Sequence, residues 1–258
     1  MKSEVTDLST YFPLLDEFEH KKLFDGITAP WQAVAAIGGY LKEAIARART
    51  ALPTGRLDGL SLQRRRMRAE ETIIYVTRVV EVAEAMVVEG TGVVIGAGVV
   101  LEPGVLIKSP AIIGSGTEVR HGAYLRGDVL TGERCTIGHD TEVKNSVFMN
   151  HAEAGHFAYV GDSILGSYVN LGAGTKLANL QLRRENDKLN ERFPQIRLRF
   201  GDEVVETGMG KLGAILGDHC ETGCNSVTAP GVMCGAHCWI AACRFVKKGY
   251  YAPKSIVH

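Results

Sequence analysis

A large apolar residue recurs every six positions through the middle of this chain. Starting at Ile95, steps of six reach ten residues, nine of them large and apolar: Ile95, Leu101, Ile107, Ile113, Val119, Leu125, Thr131, Ile137, Val143 and Met149. A helical period of 3.6 or a strand period of 2.0 does not produce this column. The residue four places after each member of this column is mostly small or aliphatic, as at Val99 and Ala123. The pattern is typical of a solenoid of short strands and tight turns.

Three hexads make one coil of about 18 residues, and neighbouring coils should lie about 4.8 Å apart. The chain has 30 glycines among 258 residues, which suits a fold with many turns. The frame is interrupted between residues 149 and 160, resumes at Leu165, and is interrupted again between about 180 and 210. The sequence therefore predicts a mainly β fold, a parallel β-helix of hexapeptide repeats. The second interruption is long enough for an extruded loop or hairpin over a neighbouring subunit.

The chain before the repeats has a different pattern. Pro30 opens a stretch, Trp31 to Ala51, in which apolar residues fall on one helical stripe, and Pro53 ends it. We therefore expect an N-terminal helical segment over residues 1–85 and a β-helix domain over residues 86–258.

Charge and hydropathy exclude several kinds of partner. The 29 Lys and Arg residues balance the 29 Asp and Glu residues, which argues against a nucleic-acid partner. The arginines between residues 64 and 68 then fit a solvated charged face. No apolar run approaches the roughly 20 residues of a membrane span, and the start lacks the apolar core of a signal peptide. We expect a cytoplasmic protein without a membrane partner.

Three cations should stack in this solenoid. Lys108, Arg126 and Lys144 recur at a spacing of three hexads, and each follows an inward apolar residue. Like charges on neighbouring strands destabilise one another, so the ladder suits a bound anion, and Arg with Lys suits a phosphate. Three solvated side chains that splay apart are the alternative, and the sequence does not decide between them.

His156 is the candidate general base. It lies in the first interruption, near Tyr159 and Asp162, about one coil beyond Lys144. A histidine that titrates near neutral pH can take a proton from an amine or hydroxyl, although a histidine in a loop is often only solvated. Its place near the cation ladder favours an acceptor site for a sugar phosphate.

The cysteines are expected to be structural. Cys220 and Cys238 are also separated by three hexads and should stack inward as reduced thiols. Cys224 and Cys234 complete a pattern that resembles a zinc site only loosely, because the pairs would point in different directions. We expect no metal there.

The run AGHFAYVGDSILGSYVNLGAGTKLAN, with TEVKNS before it and KLGAILGDHCETG after it, resembles the acetyltransferase half of the bifunctional glucosamine-1-phosphate acetyltransferase/N-acetylglucosamine-1-phosphate uridyltransferases. The likeness covers roughly residues 86–250. It implies a left-handed parallel β-helix of hexapeptide repeats that forms a homotrimer with sites between subunits. It also implies an acetyl-CoA-dependent N-acetyltransferase that acts on an aminosugar phosphate, such as glucosamine 1-phosphate, in nucleotide-sugar biosynthesis. Nothing of the uridyltransferase domain is present, so we expect no uridyl transfer.

The resemblance also implies roles for individual residues. His156 falls on the base, and Asn179 falls on the asparagine beside the transferred acetyl group, where its side chain or a backbone amide would stabilise the oxyanion. The substrate-binding positions fall on Arg126, Lys144, Tyr159, Asn170 and Lys211, and the coenzyme A contacts fall on Ala173, Cys224 and Ala242. The chain departs from the family at Leu180, where a tyrosine is usual, and at Cys224, where a serine is usual. Lys254 is the one candidate for the family's basic tail residue.

Two other functions fit parts of the pattern. A zinc hydratase like the γ-class carbonic anhydrases would use His151 and His156, but the third histidine, expected about two coils upstream, falls on Ser115. A non-catalytic sugar-nucleotide-binding or scaffold module is the other alternative. Metal analysis and an acetyl-transfer assay discriminate among the three.

Overall fold

The computed structural model describes residues 2–66, 70–200 and 203–258. The helices are α1 (Lys2–Thr6), α2 (Pro30–Ala51) and α3 (Glu185–Leu189), with 3₁₀ turns at Leu8–Thr10, Leu15–Glu17 and Lys21–Phe24. The strands are β1 (Thr54–Gly55), β2 (Leu60–Arg66), β3 (Glu70–Val76), β4 (Val80–Glu81), β5 (Met86–Val88), β6 (Val93–Ile95), β7 (Val100–Leu101), β8 (Leu106–Lys108), β9 (Ala111–Ile113), β10 (Glu118–Val119), β11 (Tyr124–Leu125), β12 (Val129–Thr131), β13 (Thr136–His139), β14 (Glu142–Lys144), β15 (Ser146–Phe148), β16 (Glu153–His156), β17 (Tyr159–Gly161), β18 (Ile164–Leu165), β19 (Asn170–Leu171), β20 (Lys176–Leu177), β21 (Arg197–Phe200), β22 (Glu203–Glu206), β23 (Ala214–Leu216), β24 (Glu221–Thr222), β25 (Val227–Thr228), β26 (Val232–Cys234), β27 (Trp239–Ile240), β28 (Phe245–Val246), β29 (Gly249–Tyr251) and β30 (Ile256–Val257).

Most strands form the three faces of a prism, which the chain visits in turn. Face 1 has the order β1-β5-β6-β9-β12-β15-β18-β23-β26-β29, and face 2 has the order β30-β27-β24-β19-β16-β13-β10-β7-β4. Face 3 has the order β2-β3-β8-β11-β14-β17-β20-β25-β28, and β21 pairs with β22 outside the prism. From β6 onward the coils pair in parallel. The predicted fold class, a left-handed parallel β-helix with a helical segment and an extruded loop, is confirmed.

The six-residue column forms the interior of the prism. Its members from Ile95 to Val143 are fully buried, and so are Val99 and Ala123 from the second column. The assignment of Met149 to this interior is wrong. Phe148 takes the inward place opposite Thr131, and Met149 packs outside face 1.

The frame shifts because the coils change length. Val119 pairs with Ile137, which comes three full hexads later in the chain. Ile137 in turn pairs with Ala154, and this step is one residue shorter than three hexads. The same shortened step links Leu130 to Val147. The expected interruption at residues 149–160 is therefore not a break, because β16 and β17 continue the solenoid in coils that have each lost a single residue.

The N-terminal segment covers face 1. Helix α2 begins at Pro30 and ends at Ala51, as predicted. Its buried stripe, which includes Ile37 and Leu41, packs on the outward side chains of face 1, among them Leu130 and Val147. Faces 2 and 3 receive no comparable cover from the described part of the chain.

Residues 54–81 differ from the helical segment expected over residues 1–85. They form strands, and the β2–β3 hairpin continues face 3 by antiparallel pairing of β3 with β8. The β-branched residues of β3, such as Ile73, Ile74 and Val76, favour a strand and are buried against the first coils. The domain boundary at residue 85 stays a prediction. Arg64 is exposed as expected, whereas Arg68 and the side chains of Arg65 and Arg66 lie outside the described residues.

The second interruption extrudes an arm, residues 180–210. It contains α3 and the β21–β22 hairpin, and Ile196 and Leu198 bury themselves against face 1. A Cβ on Gly231 would lie 2.8 Å from Leu198 Cδ2, which shows how closely the hairpin packs on this chain's own late coils. The arm is thus fixed to its own prism.

Cys220 and Cys238 point inward as predicted, with free thiols. Each Sγ lies 3.1 Å from a backbone carbonyl oxygen, of Gly235 and Ala252 respectively.

Among the described residues, no helix is both long and apolar enough to cross a bilayer.

Replacing Phe148 by alanine should lower the free energy of unfolding by about 3–5 kcal/mol, since the substitution leaves a cavity in a dry interior. Phe245→Ala is the matched control, because this ring is 66 % exposed and its loss should cost less than about 0.5 kcal/mol. Urea unfolding measures both. Equal destabilisation by the two substitutions would contradict the corrected register.

Asp218 ties the N-terminal segment to the solenoid. Its carboxylate accepts hydrogen bonds from the backbone N–H of Leu14 (2.8 Å) and Ser167 (2.7 Å). Burial raises the pKa of Asp218 from 3.8 to about 6, against the opposing effect of these hydrogen bonds. A raised folded-state pKa means that the folded chain holds this proton longer than the unfolded chain does.

The contribution of Asp218 to stability should therefore be complete below pH 4 and be lost as pH rises through about 6, by about 3 kcal/mol. Asp218→Asn removes this titration, so the stability of the variant relative to the unmodified protein should increase from pH 4 to pH 7. Urea unfolding at pH 4, 5 and 7 tests the sign, with Asp16→Asn, an exposed carboxylate, as control. A difference that does not change with pH would refute it.

Candidate active site

The three predicted cations lie on one face. Ile107 pairs with Leu125, and Leu125 pairs with Val143, so the residues that follow them, Lys108, Arg126 and Lys144, occupy successive coils at one edge of face 3. The next position in this column is Gly161, which pairs with Lys144. The three-hexad spacing therefore predicts the ladder correctly, and the ladder ends where the shortened coils begin.

Neighbouring groups already balance much of this charge. Arg126 Nη1 donates to Glu142 Oε1 at 2.6 Å, and this hydrogen bond raises the pKa of Arg126. Lys144 Nζ lies 3.8 Å from Asp162 Oδ2, and Lys108 Nζ lies 5.7 Å from the centre of the Tyr124 ring. The Arg126 side chain is still 41 % exposed, so its guanidinium is accessible to a ligand.

A buried carboxylate organises the edge between faces 3 and 1. Asp162 is 4 % exposed. It accepts hydrogen bonds from Asn145 Nδ2 at 2.7 Å and from Asn179 Nδ2 at 2.5 Å. Because Lys144 also approaches it, Asp162 fixes the side chains of three neighbours. We call Asp128, Asn145, Asp162 and Asn179 the carboxylate corner.

Tyr159 contacts this corner from the middle of face 3. A Cβ on Gly161 would lie 2.5 Å from Tyr159 Oη and 2.7 Å from Asn179 Nδ2, so only glycine lets the tyrosine and the asparagine meet there. Burial raises the pKa of Tyr159, and the Asp162 and Glu142 carboxylates raise it further. Tyr159 is consequently a neutral hydrogen-bonding group at neutral pH.

His156 lies at the opposite edge of the same face. It ends β16, directly above His139, and its side chain is exposed. The next ladder position, Gly161, comes five residues after His156, so their backbones are separated by up to about 16 Å along the coil, with Tyr159 between them. A sugar phosphate held by the long Arg126 and Lys144 side chains can lie across the face between them and the imidazole.

The three implied coenzyme A contacts stack directly above His156. Backbone hydrogen bonds link each coil to the next at this corner. The carbonyl oxygen of His156 accepts from the Gly174 N–H at 2.9 Å, and that of Ala173 accepts from the Asn225 N–H at 2.8 Å. The carbonyl oxygen of Cys224 accepts from the Cys243 N–H at 2.8 Å. The strand register continues this column to Ala242. We call the column His121, His139, His156, Ala173, Cys224 and Ala242 the histidine corner.

Small side chains leave room along the upper histidine corner. A Cβ on Gly155, next to His156, would meet no atom within 4 Å, and the side chains of Cys224 and Ala242 are exposed. An extended thiol-bearing chain can therefore approach this backbone closely beside His156.

Two predicted substrate residues lie apart from this group. Asn170 is exposed on face 2 between Glu153 and Glu221, on the far side of the histidine corner from Tyr159. Lys211 follows the arm, and its Nζ lies 4.8 Å from the centre of the Phe193 ring. The backbone next to Lys211 nevertheless lies beside the site, because the N–H of Leu212 donates to the Asn179 carbonyl oxygen at 3.0 Å.

The structure argues against a zinc site built on His151 and His156. His151 lies at the edge between faces 1 and 2, where its ring stacks on Tyr168 with centroids 4.6 Å apart. His156 lies at the other end of β16, at the edge between faces 2 and 3. The two imidazoles therefore cannot share one ion. The described residues contain no other metal-ligand cluster.

The carboxylate corner is the part of the site that the six-residue pattern misses. Its members follow one another at a spacing that is one residue shorter than three hexads. A repeat counted at the full coil length therefore does not align them. Asp128, Asn145 and Asp162 have positive φ values of 53°, 45° and 49°, a conformation that Asp and Asn tolerate better than other non-glycine residues. A repeat of Asp and Asn at this shortened spacing is the signal that could have revealed the corner.

Comparison with known proteins agrees with the resemblance seen in the sequence. Residues 107–193 match a domain family described as the GMPPB C-terminal domain. A bifunctional sugar-1-phosphate nucleotidylyltransferase/acetyltransferase of Sulfurisphaera tokodaii is 39 % identical over 115 residues, 45 % of this chain and 26 % of that protein. The bifunctional protein GlmU of Methanocaldococcus jannaschii is 38 % identical over 120 residues, 46 % of this chain and 27 % of that protein.

The chain spans about a quarter of the length of these curated relatives, so the likeness concerns the solenoid and not their whole activity. Among solved structures, a Francisella novicida UDP-N-acetylglucosamine acyltransferase matches with a TM-score of 0.37 and 17 % identity, over 62 % of this chain and 56 % of that one. The resemblance to the GlmU-type solenoid is confirmed.

Replacing Asp162 by asparagine should lower the free energy of unfolding by about 1–3 kcal/mol, because the new amide cannot accept from both Asn145 and Asn179. Asp140→Asn is a matched control. Asp140 has the same φ of 49° but is exposed, so its replacement should cost less than about 0.5 kcal/mol. Urea unfolding of both variants at pH 7 makes the comparison. Equal stability of the two would show that Asp162 does not organise the corner.

Proposed function

We propose that this protein transfers an acetyl group from acetyl-CoA to the amine of an aminosugar phosphate such as glucosamine 1-phosphate. The observation that carries the proposal is the layout of face 3. Cations lie at one side, a histidine lies at the other, and a neutral tyrosine lies between them, while a column of small residues rises from that histidine. The relatives named above include a sugar-1-phosphate nucleotidylyltransferase/acetyltransferase, which supports the same reaction class.

The acceptor would bind across face 3. Arg126 and Lys144 would hold its phosphate, since a guanidinium fork and an ammonium both suit phosphate oxygens. Glu142 and Asp162 keep both cations in place before the ligand arrives, so binding loses less side-chain entropy. Tyr159 would contact the sugar ring between the phosphate and the amine.

His156 would act as the general base. As the amine nitrogen bonds to the thioester carbonyl carbon, the imidazole takes one amine proton. The carbon–sulfur bond then breaks, and the imidazolium gives that proton to the sulfur, so coenzyme A leaves as the thiol. The products are an N-acetylated sugar phosphate and free coenzyme A. A positioned base of this kind contributes about 10²- to 10⁴-fold in rate.

Asn179 would orient the acceptor through its carbonyl oxygen. Its Nδ2 already donates to Asp162 and also contacts Tyr159, which leaves Oδ1 free to accept from the amine or a hydroxyl. A backbone N–H, rather than this amide, would then stabilise the oxyanion that forms at the thioester carbonyl.

The donor and the remaining acceptor contacts would complete the site at a boundary between copies. Ala173, Cys224 and Ala242 would follow the coenzyme A chain along the histidine corner. Asn170 faces away from Tyr159 in one chain, so it would reach the acceptor bound on a neighbouring copy, as a homotrimer with sites between subunits allows. Lys211 would approach the substrate by turning away from Phe193.

His156→Ala tests the reaction. Release of free thiol from acetyl-CoA, with a panel of aminosugar phosphates, should fall about 10²- to 10⁴-fold, while the oligomeric state stays the same. His237→Ala, at the edge between faces 1 and 2 where His237 stacks on His219, should leave the rate unchanged. An undiminished rate in the His156 variant would remove this residue from the mechanism. Binding of sugar phosphates without thiol release from the unmodified protein would support the non-catalytic module instead.

A further inference from the structure

A basic cavity lies at the root of the arm. It has a volume of about 450 Å³ and is lined at its two ends by Leu180, which follows Asn179, and by Gly210, which precedes Lys211. The cavity therefore lies beside Asn179 of the carboxylate corner. Its size is that of an ordinary small-ligand site. Neither the acceptor phosphate nor the histidine corner accounts for it.

The lining of this cavity is strongly positive in a chain of zero net charge. Arg183, Arg184, Arg197 and Lys248 line it, against one carboxylate, Asp187. Arg197 is paired with Glu206 at 3.0 Å. Cations gathered around one concave space repel one another, and an anion in the cavity would relieve that repulsion.

The arm holds these groups in place. Arg183 Nη1 donates to the Arg192 carbonyl oxygen at 3.3 Å, and its guanidinium carbon lies 4.5 Å from the centre of the Phe193 ring. Gln181 Nε2 donates to the Pro194 carbonyl oxygen at 2.9 Å, which joins the two sides of the arm. A stacked, anchored guanidinium is pre-organised for a phosphate, because little side-chain freedom remains to be lost on binding.

Lys248 comes from a different part of the chain. It follows β28 at the same edge of the prism, two coils above Asn179 in the stacking order of face 3. The arm hairpin is packed against the solenoid through Ile196 and Leu198, so the cavity has one wall on the arm and one on the prism.

We propose that this arm cavity binds the phosphate groups of a nucleotide. Its volume exceeds what one phosphate fills, and the exposed apolar side chain of Leu182, which also lines it, offers a surface to a base or sugar. The nucleotide could come from the donor, whose coenzyme A carries an adenosine 3′,5′-bisphosphate group, or be a nucleoside diphosphate that belongs to neither the donor nor the aminosugar phosphate. The choice between these two sources rests on the proposed function, whereas the phosphate site itself does not.

Isothermal titration of the full chain with adenosine 3′,5′-bisphosphate and with uridine 5′-diphosphate tests the site. We expect at least one probe to bind, and the double variant Arg183→Ala/Lys248→Ala to weaken its binding at least tenfold. The matched control is Lys21→Ala/Arg47→Ala, which removes the same two residue types from exposed ion pairs on the N-terminal segment and should leave the affinity unchanged.

Preference for the bisphosphate identifies the donor as the source, and preference for the diphosphate identifies a nucleoside diphosphate separate from both substrates. Binding of neither probe, or equal affinity in the double variant and the unmodified protein, overturns the proposal. His156→Ala separates this test from that of the proposed function, because it should bind the probes normally whether or not acetyl transfer occurs.

Discussion

Hydrogen bonding between successive coils is the constraint on which the rest of this molecule depends. Each short strand is too small to be stable alone, and only its pairing with the strands above and below satisfies its backbone. Once that pairing fixes the register, side chains far apart in sequence become vertical neighbours. Lys108, Arg126 and Lys144 meet for this reason, and so do His156, Ala173 and Cys224.

A change of a single residue in coil length gives the site its particular chemistry. In coils of three full hexads, the cations continue as a column. In the shortened coils, the position above Lys144 is occupied by Gly161, and Asp162 lies one coil below Asn179 and accepts its hydrogen bond. The glycine makes space for Tyr159, and the buried carboxylate anchors both Asn179 and Lys144. Face 1 is covered by helix α2, whereas the residues that we assign to substrate and donor, apart from Asn179 and Lys211, lie on the other two faces and their shared edge.

Periodicity made the solenoid, helix α2, the cation ladder and the inward cysteines predictable, because each follows from counting along the chain. Met149 was assigned inward because the count could not register the loss of a residue before Phe148. The β2–β3 hairpin was missed because its pairing with β8 is tertiary. The partners Glu142 and Asp162 were missed because ion pairs depend on side-chain conformations. The roles of Asn170 and Lys211 came from family resemblance alone, and in one chain neither reaches the group around Tyr159.

The most direct measurement is a crystal structure with an aminosugar phosphate and coenzyme A bound. The account predicts the phosphate against Arg126 and Lys144, the amine about 2.6–3.2 Å from the His156 imidazole, and the coenzyme A chain along Ala173, Cys224 and Ala242. A phosphate bound away from face 3, or a His156 ring that faces no substrate atom, would contradict it.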